Sequence, residues 1–177
     1  MLKIIVLSLG AVVLASLAAF LLIGRERSWE LLAGPADLGR YDFEAEARSA
    51  TANDALACAP GLCRTADIDV APFEDAPSAV IETIIARLRE MNPHLRRVDD
   101  GDDAGYARLV IHTPLMRYPD TVDIAATRLP DGRTGVRAYS RSKIGSGDMG
   151  ANRKRLRTLF EFAQRGQVSG QLSGPPA

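Results

Sequence analysis

The stretch from Tyr139 to Arg155 holds the groups best suited to chemistry in this chain. It reads Tyr-Ser-Arg-Ser-Lys-Ile-Gly-Ser-Gly-Asp-Met-Gly-Ala-Asn-Arg-Lys-Arg. Between Arg137 and Arg157 stand seven basic residues (Arg137, Arg141, Lys143, Arg153, Lys154, Arg155, Arg157) against one acid, Asp148, in a chain that is otherwise neutral. A glycine-rich turn running into a helix start presents unpaired backbone N–H groups. With hydroxyls and guanidinium forks beside them, such groups can hold a phosphate, a carboxylate or a lipid head group. The expected contact set is Ser140, Arg141, Ser142, Lys143, Asn152, Arg153 and Arg155. A structural reading competes with it. Asp148 is a good N-cap whose carboxylate would satisfy those N–H groups itself, Gly145 and Gly150 would shape the turn, and Asn152 and Arg141 would lock it. The Walker spacing and the dinucleotide glycine fingerprint are absent. Ser140 and Lys143 have the Ser-x-x-Lys spacing of penicillin-binding proteins, but on a strand end rather than on the helical turn that pair needs.

A second group is Asp120 and Asp123, which flank a strand start and have the chemistry of an acid/base pair or a cation ligand. The plainer reading is structural: they cap a turn and pair with neighbouring arginines. His94 and His112 are isolated. The acidic run Asp99 to Asp103 lacks the spacing and terminal Glu of a calcium loop. Cys58 and Cys63, the two cysteines, enclose Pro60-Gly61, turn chemistry that can bring the thiols together. Two cysteines and two scattered histidines do not make a zinc site, so no metal and no cofactor are expected.

The elements that position these groups follow from the hydrophobic pattern. Ile4 to Ile23 is an uncharged, Pro-free run of 20 residues, long enough as a helix to cross about 30 Å of hydrocarbon, and is read as an uncleaved transmembrane anchor. A cleaved signal peptide would have a shorter apolar core ending at a small-x-small site. Residues 25–66 read as a stalk, with Trp29 placed as an interfacial aromatic. A globular part is expected over 67–166. It starts with an extended piece at Ile68 to Ala71, then a helix opened by Asp75-Ala76-Pro77, apolar at Val80, Ile81, Ile84, Ile85, Leu88 and Met91 and stopped by Asn92-Pro93. Three strands follow, Tyr106 to Thr113, Thr121 to Arg128 and Thr134 to Arg141, the last two joined by a Pro-Asp-Gly turn. A helix from about Met149 to Arg165 comes next, buried through Leu156, Leu159, Phe160 and Ala163. Residues 167–177 read as a disordered tail. The fold class expected is α+β: a small antiparallel sheet with two helices on one face, preceded by one N-terminal transmembrane helix.

Lys+Arg and Asp+Glu each total 22 over 177 residues, which excludes a global field that would gather nucleic acid. Lys3 and the α-amine on one side of the anchor nearly balance Arg25 and Arg27 on the other, with a slight excess favouring a cytoplasmic body. The cysteine pair argues the other way, since a disulfide needs an oxidising compartment. The expectation is therefore a single-pass protein of a bacterial inner membrane with a periplasmic body.

The C-terminal half resembles the DUF1499 family, a bacterial and plastid family catalogued only as a domain of unknown function. The likeness rests on Asp120-x-Val122-Asp123-Ile124 and on Ser140-Arg141-Ser142-Lys143-Ile144-Gly145-x-x-Asp148-x-Gly150-x-Asn152-Arg153-Lys154-Arg155. These look like that family's hallmark Ser-Arg-Ser-Arg-x-Gly-x-x-Asp-x-Gly-x-Asn-Arg-x-Arg. The resemblance covers about residues 53–165; Lys143 stands where the family has Arg, and Cys58 to Cys63 departs from its Pro-Asn-Cys-Val-Ser-Ser. It implies no activity, substrate or cofactor. The leading expectation is a non-enzymatic, membrane-anchored module that binds an anionic small molecule, a lipid head group or an envelope protein. The alternatives are a hydrolase or transferase using Asp120, Asp123 or Asp148 beside the arginines, and a structural subunit with an apolar patch on the free face of its sheet.

Overall fold

The computed structural model describes residues 1–172, with side chains through residue 163. Helix α1 (Leu2–Ile23) is 22 residues long, about 33 Å, with none of its residues buried. It is long and apolar enough to cross a membrane. Gly24, at φ 93°, breaks the helix and starts α2 (Arg25–Ala33) in a new direction. Strands β1 (Asp54–Cys58) and β2 (Ile68–Asp69) precede α3 (Pro77–Met91); β3 (Arg96–Arg97), β4 (Tyr106–His112), β5 (Pro119–Arg128) and β6 (Thr134–Ser142) follow it, and α4 (Ala151–Leu172) closes the order.

One six-stranded sheet results, in the order β2-β1-β6-β5-β4-β3. Its pairs are antiparallel except β1 with β2, so the sheet is mixed through that one parallel pair. The α+β class and the three-strand meander stand as expected from the sequence. Pro77 in the first turn of α3 has no N–H to leave unpaired, and the Asn92-Pro93 pair ends the helix. The apolar stripe of α3 packs with Leu156, Leu159 and Phe160 of α4 on one face of the sheet. That face is built from Ala55, Ala57, Leu109, Ile111, Val122, Ile124, Val136 and Ala138. Burying each of Ile81, Ile84, Ile85 and Leu88, all 1% exposed or less, contributes about 1.5–3 kcal/mol.

The expected stalk is corrected. Residues 25–66 contain α2, a strap that crosses the sheet, and β1, an interior strand between β2 and β6. Strand β1 carries no strand signal in the sequence: Asp54-Ala-Leu-Ala-Cys lacks β-branched residues and is buried on both faces, so no alternation marks it. The face opposite the helices is not free: Tyr41 and Phe43 of the strap cover Leu56, Cys58, Tyr106 and Tyr139 there. Helix α4 runs to Leu172, so the first residues of the expected tail are helical; residues 173–177 lie outside the described residues. Cys58 and Cys63 are joined in a disulfide, their Cα atoms 6.2 Å apart.

Candidate functional site

The alternation of a strand decides what the conspicuous residues can reach. Successive side chains of β5 and β6 point to opposite sheet faces. Asp120 and Ser140 therefore share the helix face with Val122 and Ala138, while Asp123, Tyr139 and Arg141 lie on the strap face. Asp120 and Asp123 cannot act as one acid/base pair, and Ser140 is not paired with Lys143. The alternation of Val122 and Ile124 against Asp123 and Ala125, visible in the sequence, already carried that parity.

On the helix face, Asn152 is fully buried and uses every polar atom. Its Oδ1 accepts from Ser140 Oγ at 2.5 Å and Arg155 Nη1 at 2.6 Å. Its Nδ2 donates to the Asn53 carbonyl at 2.9 Å, Ser142 Oγ at 2.9 Å and Asp148 Oδ2 at 2.7 Å. Arg155 also donates to Asp120 Oδ2 at 2.5 Å, and the Asp120 side chain is 2% exposed. Asp148 caps α4, accepting from the Gly150 N–H at 2.9 Å and the Asn152 N–H at 2.7 Å. Gly145 at φ 100° and Gly150 at φ 78° occupy the left-handed region that the turn requires. Asn53, from the segment read as stalk, donates to the Gly145 carbonyl at 2.8 Å.

On the strap face, Asp123 is wholly buried and accepts from Tyr106 Oη at 2.6 Å and the Tyr41 N–H at 2.9 Å. Burial pushes its pKa up, more than Tyr106, Tyr41 and the Arg141 and Arg108 charges pull it down. Arg141 donates to the Gly39 carbonyl at 2.7 Å, and Arg108 grips Asp37 with both ends of its fork, at 2.9 and 3.0 Å. These contacts fasten the strap to the sheet. At its far end burial raises the Asp54 pKa, but Arg48, the Tyr139 hydroxyl and the Ser49 N–H together outweigh it and hold the carboxyl below its usual range. Arg153 pairs with Asp67, which also accepts from Arg48.

Of the residues expected to contact a ligand, Ser140 and Asn152 are thus turned wholly into the fold, and Arg141, Arg153 and Arg155 each hold an internal acceptor. Ser142 and Lys143 are half-buried, and Lys143 anchors the turn through its own N–H to the Pro119 carbonyl at 3.0 Å. Asp120, Asp123, Asp148, Gly145 and Gly150 shape or brace the same architecture. Among the described residues, no cluster of three His, Cys, Asp or Glu side chains is placed to hold a metal ion.

A second group of basic residues lines a groove at the elbow between α1 and α2. The groove, of 610 Å³, is lined by Ile23, Gly24, Arg25, Glu26, Arg27 and Arg117. Arg117 pairs with Glu26 and donates to it from Nε at 2.9 Å; Arg27 is exposed. Burial raises the Glu26 pKa, but the Arg117 hydrogen bond and the His112, Arg117 and Arg96 charges bring it below its usual value. His112, 1% exposed with Nδ1 3.9 Å from Glu26, has its pKa lowered by burial. In the sequence, Arg25 and Arg27 bear on the orientation of the anchor. The signal for a site was available in two arginines and a tryptophan directly after an apolar span; Arg117, 90 residues away in sequence from its neighbour Arg27, carried none.

The family model described as "Protein of unknown function (DUF1499)" matches residues 41–162. No curated protein and no solved structure matches the chain.

Proposed function

Since the chain belongs to the DUF1499 family, whose description assigns no function, we propose one from its geometry: a single-pass, membrane-anchored binding module, not an enzyme, that takes an anionic lipid head group at the α1–α2 elbow. The observation that carries this reading is the groove of Arg25, Arg27 and Arg117, which opens directly at the end of the apolar helix. If α1 spans the bilayer, that is the depth of the phosphates. The exposed Arg27 can present its fork to phosphate oxygens, while Arg25, held at one end by the Leu115 carbonyl, and Arg117, held by Glu26, add positive charge beside it. The body is assigned to the non-cytoplasmic side, because the Cys58–Cys63 disulfide persists in an oxidising compartment.

An acid/base enzyme would need a carboxylate of raised pKa beside Arg141 and open to a substrate. Asp123 has the raised pKa and the arginine, but no exposed surface. Tyr41 and Tyr106 close it off, so the reading as a binding module is preferred.

Native mass spectrometry of the full chain extracted gently from its membrane tests the proposal. The expected result is a phospholipid adduct lost on denaturation and weakened roughly tenfold by Arg25→Ala with Arg27→Ala, as the loss of two solvent-exposed ion pairs of about 0.7 kcal/mol each implies. Arg141→Ala with Arg153→Ala should lower the melting temperature and leave the adduct in place. An adduct that survives the elbow pair but is lost with the loop pair would return the site to residues 140–155 and overturn the assignment.

A further inference from the structure

We propose that the β4–β5 turn is a second membrane contact, with Leu115 and Met116 seated in the bilayer beside α1. The turn is closed on itself: the Thr113 N–H donates to the Tyr118 carbonyl at 3.0 Å, the Arg117 N–H to the Thr113 carbonyl at 3.1 Å, and the Tyr118 N–H to Thr113 Oγ1 at 2.9 Å. Such a turn normally carries polar residues at its tip. Here the tip is apolar, with Leu115 75% and Met116 37% exposed.

Its position is fixed by the first residues beyond the span. Arg25 Nη1 donates to the Leu115 carbonyl at 2.5 Å and Trp29 Nε1 to the Met116 carbonyl at 2.7 Å. The Trp29 ring packs against Phe20 of α1 and Tyr118 of β5's approach, with centroids 5.5 and 4.7 Å away. Arg117 stands at φ 59°, a left-handed conformation that residues other than glycine seldom adopt, and its fork is tied to Glu26. Docking therefore holds a backbone geometry that the turn alone would not favour.

The depth follows from the lining of the space beside the tip. Leu115 and Met116 face a mostly apolar groove of 520 Å³ shared with Leu17, Phe20, Leu21 and Trp29, with Ser16 and Arg25 also in its lining. Leu17 lies six residues before the end of α1, about 9 Å along the helix axis from it. If α1 crosses the membrane, the groove at Leu17 is in hydrocarbon, and the apolar tip continues the lipid-facing surface of α1. The occupant is accordingly the acyl region of the bilayer, and the β4–β5 end of the sheet faces the membrane while the β5–β6 turn points away.

This inference rests on reading α1 as a span, but not on head-group binding. Trp29 is the chain's one tryptophan, so single-tryptophan variants report depth directly. The full chain is reconstituted into phosphatidylcholine vesicles, with and without bromine on the acyl chains, as three variants in a Trp29→Phe background: Leu115→Trp, Asp131→Trp at the opposite turn, and Leu14→Trp within α1. Leu115→Trp should emit to the blue of Asp131→Trp and lose roughly half its emission to the brominated chains, as Leu14→Trp does. Because Trp29→Phe removes one tether of the turn, a benzophenone amino acid at Leu115 in the chain that keeps Trp29 gives a second reading: irradiation should add a phospholipid mass. Quenching at Leu14 without quenching or lipid cross-linking at Leu115 overturns the inference and leaves the span intact. A cross-link from Leu115 to a second copy of the chain overturns it in favour of a protein contact. Because the vesicles carry no anionic lipid, success here is compatible with failure of the head-group reading, and the reverse.

Discussion

Asn152 Nδ2 donates to the main-chain carbonyl of Asn53 at 2.9 Å across 99 residues of sequence, joining the first turn of α4 to the approach of β1. Both residues are buried, and the same carbonyl accepts from the Ser142 N–H at 2.9 Å. One amide thus closes a network that holds β1, β6 and α4 together. Asn152→Ala leaves the Ser140 O–H and one Arg155 N–H without their shared acceptor, although Arg155 still donates to Ser140 Oγ at 2.7 Å, and should cost roughly 2–4 kcal/mol. Asn152→Asp should cost more, because it turns an acceptor toward the Asn53 carbonyl and the Asp148 carboxylate. Urea unfolding of the detergent-solubilised full chain, followed by circular dichroism, checks both.

Removing Arg155 leaves the Asp120 carboxylate buried without its counter-charge. Arg155→Met should therefore lose about 3–5 kcal/mol. Asp120→Asn added to it removes the stranded charge, so the double variant should be more stable than Arg155→Met alone. If instead the two losses add fully in the same unfolding experiment, the pair is not coupled in the way its geometry requires.

Asp54 and Asp123 should respond to acid in opposite directions. The folded-state pKa of Asp54 is lowered, so its stabilisation is present above the unfolded-state value, about pH 4, and is lost as pH falls further. The pKa of Asp123 is raised by burial, so its contribution is greatest below about pH 4 and is lost as pH rises through the folded-state value. Lowering the pH from about 7 to about 4 should shift the stability difference between wild type and Asp123→Asn in favour of wild type. Lowering it from about 5 to about 3 should shift the difference between wild type and Asp54→Asn against wild type. Chemical denaturation at each pH gives the sign directly.

The Cys58–Cys63 bridge closes a short loop beside β1, with Cys58 in the buried cluster under the strap that also holds Tyr41 and Tyr139. Replacing both cysteines by serine should destabilise the fold by about 2 kcal/mol from loop closure, with a further loss from placing a hydroxyl at the buried Cys58 position. Reduction of the unaltered chain should produce the loop-closure part alone. In intact cells, both thiols should resist alkylation until a reductant is added.

Much of this protein was legible in its sequence, because the signals are local. An uncharged run of 20 residues identifies α1 as long enough to span, helical periodicity with Pro77 and Pro93 bounds α3, and alternation with a Pro-Asp-Gly turn marks β5 and β6. The hallmark from Ser140 to Arg155 identified the family, and Asp148 announced a helix cap. What the sequence did not determine is which way those groups face and what they meet. Ser140 and Arg141 are neighbours in the chain, yet the pleat sends one to Asn152 beneath α4 and the other to Gly39 under the strap. Of the seven cationic residues around the glycine turn, three are met by acids from distant segments: Asp120 for Arg155, Asp123 for Arg141, and Asp67 for Arg153. Strand β1, whose alanines carry no alternation, and the elbow groove, assembled by Arg117 folding back onto residues directly after α1, exist only once the sheet has formed. Their contacts are long-range, and no spacing along the chain records them.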